Sequence, residues 1–265
     1  VRFALIFFVV LIIVLLGFAK IADAQEIMPL SAIKPGMKGY GLTVFKGKER
    51  EKFNFEVVGV YNSFPKYIVV YLSGGPKGRN GREILTNANV AAGMSGSPLY
   101  VDDKIIGSIA LVPTFSKEPY TFVTPIESTL GFVTNTMKLP NKFITGHFHW
   151  PGFTEYIKPG ETYVFCEVWG DNYVCGGGTV TMANPRDPEF LHLLGHSGHA
   201  YTGVFALPFW RSEVLDIVPT LNSSFKIIQE RELGPMLGSV IFNGPFGQIA
   251  QLGNGHNSIP VKIVL

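Results

Sequence analysis

The sequence predicts an all-β protein, a barrel or a sandwich assembled from short strands. Thirty glycines and 18 prolines stand beside 21 phenylalanines and many valines and isoleucines, the composition of short strands joined by tight turns. Short β-branched runs recur along the chain, and after residue 24 no long helical period interrupts them. At 265 residues the chain can bury a large core, as one two-lobed domain or as two small ones.

The first 24 residues follow a different logic. Arg2 gives a positive start, Phe3 to Ala19 is uncharged and apolar, and Ala22-Asp23-Ala24 places small residues where a signal peptidase reads. The segment 1–24 reads as a signal peptide cleaved after Ala24, which sends the mature chain to the periplasm or outside the cell. An uncleaved anchor is the alternative, since the run approaches the ~18–20 residues of a span. Membrane contact is then expected only through that segment.

The mature chain divides at a polar, proline-containing join, Asn135 to Pro151, into a half over 25–140 and a half over 141–265. In the first half, Tyr40 to Phe45 and Phe53 to Tyr61 read as a hairpin, and Tyr67 to Leu72 as a third strand. Pro98 to Val101 and Lys104 to Val112 read as a hairpin turning at Asp102-Asp103. Phe122 to Ile126 follows, and Glu127 to Met137 can form a short helix. In the second half, Tyr163 to Trp169, Tyr173 to Met182, Phe190 to Leu194, Val214 to Val218, Ser224 to Ile228, Leu237 to Phe242 and Val261 to Val264 read as strands. Cys166 and Cys175 are the only cysteines, and in an oxidising compartment they can bridge neighbouring strands.

A formal charge of +2 with scattered Lys and Arg gives no basic stripe, and no phosphate loop is present, so nucleic acid and nucleotide are not expected as partners. The chemistry concentrates in Gly93-Met94-Ser95-Gly96-Ser97-Pro98. Glycines on both sides of Ser95 allow a tight turn that lifts one hydroxyl clear and turns backbone N–H groups outward, as an activated serine requires. A glycine-rich hairpin turn, with serines capping backbone groups, accounts for the same residues. A base can come from Gly195-His196-Ser197-Gly198-His199, which closes an apolar strand; a histidine that only satisfies turn backbone is the alternative. Glu83 and Asp171 are the candidate carboxylates for a third member, ahead of the turn residues Asp102 and Asp103. The pairs His196/His199 and His147/His149 could ligate metal, but no carboxylate follows at a fitting spacing, so neither metal nor cofactor is expected.

Four stretches resemble the peptidase domain of the stage IV sporulation protein B family. They are Ile33 to Gly47 with Glu51-Lys52-Phe53; Ala92 to Pro98 with Ile106-Gly107 and Thr124 to Glu127; Gly170-Asp171 with Gly178 to Thr181 and Leu194 to His196; and Val218 to Lys226 with Gly244 to Gly247. In that family the Gly-His segment precedes the serine segment; here it follows, as though the halves were permuted. The resemblance implies a chymotrypsin-like double β-barrel and a serine peptidase acting on protein or peptide. It implies Ser95 as nucleophile, His196 as general base, and the N–H groups of Gly93 and Ser95 as an oxyanion hole. The acid that the sporulation protease carries shortly before its serine falls near Asn80 here, which leaves the third member open.

Overall fold

The computed structural model describes residues 25–136, 157–183, 189–198, 202–231, 233–253 and 259–260. The expected signal segment, the join beyond its first two residues, the strand expected at Val261 to Val264, and His147, His149, His199 and His256 lie outside them. Strands β1 (Lys38–Val44), β2 (Arg50–Tyr61), β3 (Tyr67–Ser73), β4 (Pro98–Val101), β5 (Lys104–Leu111) and β6 (Tyr120–Pro125) close into one antiparallel barrel in the order β1-β2-β3-β6-β5-β4. Closure comes where β4 returns to β1, pairing Tyr40 with Tyr100 and Gly41 with Leu99. Period-2 alternation explains its core. On β2, Phe53, Phe55 and Val57 are buried between exposed Lys52, Asn54 and Glu56, and on β3 Ile68, Val70 and Leu72 repeat the pattern.

A second antiparallel barrel follows. It is formed by β7 (Thr162–Val168), β8 (Val174–Ala183), β9 (Phe190–Leu193), β10 (Gly203–Arg211), β13 (Met236–Gly244) and β14 (Gly247–Leu252), in the order β10-β13-β14-β9-β8-β7, with β7 closing on β10. Its core holds Tyr163, Phe165, Val180, Leu193, Phe209 and Val240. The sequence-based strand assignment lacks β10 and β14. Pro208 sits inside β10, and β14 (Gly-Gln-Ile-Ala-Gln-Leu) carries two glutamines in six residues. Cys166 and Cys175 stand opposite each other on β7 and β8 and form a disulfide.

The remaining hairpin, β11 (Val214–Val218) and β12 (Phe225–Ile228), leaves the second barrel and packs on the first. Its backbone bridges to Gly47 and to Ala92. Val214 and Ile217 enter the first core, each worth ~1.5–3 kcal/mol of burial. The Arg79–Asp216 ion pair, with Arg79 largely exposed, adds ~0–1 kcal/mol. Apolar burial therefore anchors the hairpin. Ile84–Ala88 is a short helix ahead of the serine turn, and Ile126–Thr136 is the helix expected after β6. Among the described residues no helix is long and apolar enough to cross a membrane.

Candidate active site

The serine turn lies between the helix Ile84–Ala88 and β4, with buried Met94 as its anchor in the first core. Met94 N–H donates to Ala91 O, Ser97 N–H to Met94 O and Gly96 N–H to Ile109 O, so the turn is fastened to itself and to β5. The second barrel fastens it again. Thr179 donates its N–H to Ser95 O and its hydroxyl to Gly93 O, both at 2.9 Å, and the Thr181 hydroxyl donates to Gly96 O at 3.0 Å. Gly96 has to be glycine. Its φ is +88°, and a Cβ there would lie 2.0 Å from Thr179 O.

The histidine arrives from the opposite side. Leu194, buried at the end of β9, takes a left-handed φ of 65°, and Gly195 follows at 83°. The two residues reverse the chain where the second barrel meets the first. Gly195 O accepts from the Thr124 hydroxyl of β6 at 2.6 Å, while a Cβ on Gly195 would lie 2.7 Å from Ile109 O. Each loop is thus held by the other barrel, and the Ser95 and His196 side chains meet at the seam.

There His196 Nε2 lies 2.8 Å from Ser95 Oγ, and His196 Nδ1 lies 2.7 Å from Ser197 O. A carbonyl can only accept, so Nδ1 carries the proton and the neutral ring presents the Nε2 lone pair to the serine hydroxyl. Both side chains are only partly covered. Burial lowers the His196 pKa from its ordinary value, and the Ser197 carbonyl opposes that shift by favouring the charged ring. The N–H groups of Gly93, at φ +91°, and Ser95 have no protein acceptor among the described residues, unlike those of Met94, Gly96 and Ser97. Ser97 itself is buried within the turn.

Neither expected carboxylate reaches the ring. Glu83 precedes the helix Ile84–Ala88 and accepts from Gly74 N–H at 3.1 Å, and Asp171 is exposed in the β7–β8 turn. Asp102 and Asp103 form the β4–β5 turn, where both have positive φ. The place of a triad acid at Nδ1 is taken by a peptide carbonyl. The sequence assigns no role at the site to Thr179, Thr181, Asn243 or Lys226. Asn243 is fully buried on β13; it accepts from Gly198 N–H and donates to Ser197 Oγ, each at 2.8 Å. Lys226, on β12, is buried with its stem beside Gly93 and its ammonium group donating to Thr43 Oγ1 at 2.7 Å. Among the described residues no cluster of three or more His, Cys, Asp or Glu could hold a metal ion. No protein-family model, curated protein or solved structure matches the chain.

Proposed function

We propose that the protein is a serine endopeptidase of the permuted, chymotrypsin-like kind that the sporulation-protease resemblance implies. One observation carries the reading: Ser95 Oγ and His196 Nε2 stand at 2.8 Å, with the imidazole held by Nδ1 in the tautomer that can accept a proton. Ser95 Oγ attacks a peptide carbonyl carbon as His196 Nε2 takes its proton. The Ser197 carbonyl steadies the imidazolium through Nδ1–H, and the uncommitted N–H groups of Gly93 and Ser95 receive the oxyanion. Nε2 then returns the proton to the leaving amine. A water, deprotonated by the same nitrogen, frees the acyl group and restores Ser95. The disulfide and the signal-type segment 1–24 support a place in the periplasm or outside the cell.

The test is a fluorophosphonate probe together with a labelled protein substrate, on the wild type and on S95A. Labelling and cleavage by the wild type that vanish in S95A are expected. Labelling that persists in S95A, or a wild type that neither reacts nor cleaves, overturns the reading. A second reading has its own support: no carboxylate bonds to His196 among the described residues, as in a barrel that binds peptide without cutting it. Capture of a peptide by a protein inert to the probe is its signature.

A further inference from the structure

We infer that Asn243 is a positioning residue of this site, acting on His196 through the peptide group between Ser197 and Gly198. The inference rests on the Ser95–His196 reading above. The carbonyl that accepts from His196 Nδ1–H and the N–H that donates to Asn243 Oδ1 belong to one peptide unit. A continuous chain therefore runs from Asn243 Oδ1 through H–N of Gly198 and C=O of Ser197 to Nδ1–H of His196, and on from Nε2 to the Ser95 hydroxyl.

Peptide resonance makes the two ends of that unit communicate. An acceptor on its N–H drives electron density towards the carbonyl oxygen, which then holds an imidazolium Nδ1–H more strongly. The unit has no net charge, so its pull is weaker than that of a carboxylate in the same place. Asn243 is well placed for this duty. It stands on β13 with its backbone in register with Gly203 and Gln248, its side chain wholly removed from water. A buried amide is costly unless satisfied, and both ends of this one are spent on the 197–198 loop. The Gly198 N–H can only donate, so it fixes the amide with Oδ1 towards it and leaves the NH₂ to Ser197 Oγ.

The experiment follows the His196 ring by NMR titration and the acid limb of kcat/KM in the wild type, N243L, N243A and N243D. N243L and N243A remove the acceptor, and either one that folds is sufficient for the test. The expected result is a resolvable downward shift of the His196 titration and its acid limb, with kcat lowered about tenfold and KM within about twofold. In N243D, where a carboxylate accepts from the same N–H, both move upward. An unchanged titration in N243L or N243A overturns the inference whatever happens to the melting temperature, as does a shift in the same direction in all three. The titration needs no turnover, so the role of Asn243 is measured even in a protein that proves inert to the probe.

Discussion

Thr179 on β8 of the second barrel donates its hydroxyl to the carbonyl of Gly93 in the first barrel at 2.9 Å. Its own N–H holds Ser95 O, so one residue grips the turn on both sides of Met94. The uncommitted N–H groups of Gly93 and Ser95 flank the same methionine, and their aim depends on that grip. T179V keeps the volume and removes the donor, leaving a carbonyl with one partner fewer at a cost of ~1–3 kcal/mol. The expected result is a fall in kcat of about tenfold or more with KM little changed, and recovery in T179S. Steady-state kinetics on the three proteins check it; a T179V enzyme with wild-type kcat contradicts the role.

On the serine-peptidase proposal, the pH dependence follows from the covered imidazole. Burial lowers the His196 pKa, and a neutral ring is the form that can take the Ser95 proton. Activity is therefore kept as pH falls through the ordinary imidazole range near ~6.5 and is lost only below it. The kcat/KM profile reads this directly, since it reports the free protein. An acid limb at or above that ordinary value contradicts the burial argument.

That Ser95 and His196 belong to one candidate site is legible because both carry local signals. Ser95 stands between glycines in a turn, and His196 follows a glycine at the end of an apolar strand. The partner of Nδ1 was not legible, for a plain reason: every residue has a carbonyl, and only the reversal at Leu194 and Gly195 decides which one meets the ring. Glu83 and Asp171 stand out by residue type, which says nothing about reach. Asn243 carries no local signal at all: its amide serves a loop 45 residues earlier, a pairing that no window along the chain contains. β10 illustrates the reverse problem. A proline usually argues against a strand, but Pro208 lies opposite Ser239 in a ladder marked by register shifts on both sides, which tolerates a missing donor.

Lys226 makes stability depend on pH in the alkaline direction. Burial pushes its amine down to about 7, with Thr43 Oγ1 as its hydrogen-bond partner. Between that value and the unfolded value near ~10.4, the unfolded chain binds more protons than the folded one. Lys226 therefore favours folding most above the unfolded pKa, and that contribution is lost as pH falls through the interval to about 7. K226M deletes the desolvated amine, so it is expected to gain on the order of 2–4 kcal/mol at neutral pH and to flatten the curve from pH ~7 to ~10. Urea unfolding across that range tests both statements. Parallel curves for the two proteins contradict them.

His192 acts at the other end of the scale. It is buried on β9, and among the described residues neither ring nitrogen has a hydrogen-bond partner, nor do the Thr129 hydroxyl and the Gln248 amide nitrogen. All three side chains line one small cavity with Phe242 and Phe246. Protonating this ring places a charge where no acceptor is bound to it, and burial holds its pKa down to about 4. The unfolded chain takes up the proton near pH ~6.5, so the stability that the neutral ring contributes is full above that point. It is lost as pH falls to about 4, a difference of ~3 kcal/mol for this one group. In H192L the loss over that interval is expected to shrink by about the same amount, while stability near neutrality changes far less. Unfolding free energies of both proteins at pH ~4, ~5, ~6 and ~7 measure the difference. A wild type and an H192L variant that weaken equally on acidification show that the proton is taken up elsewhere.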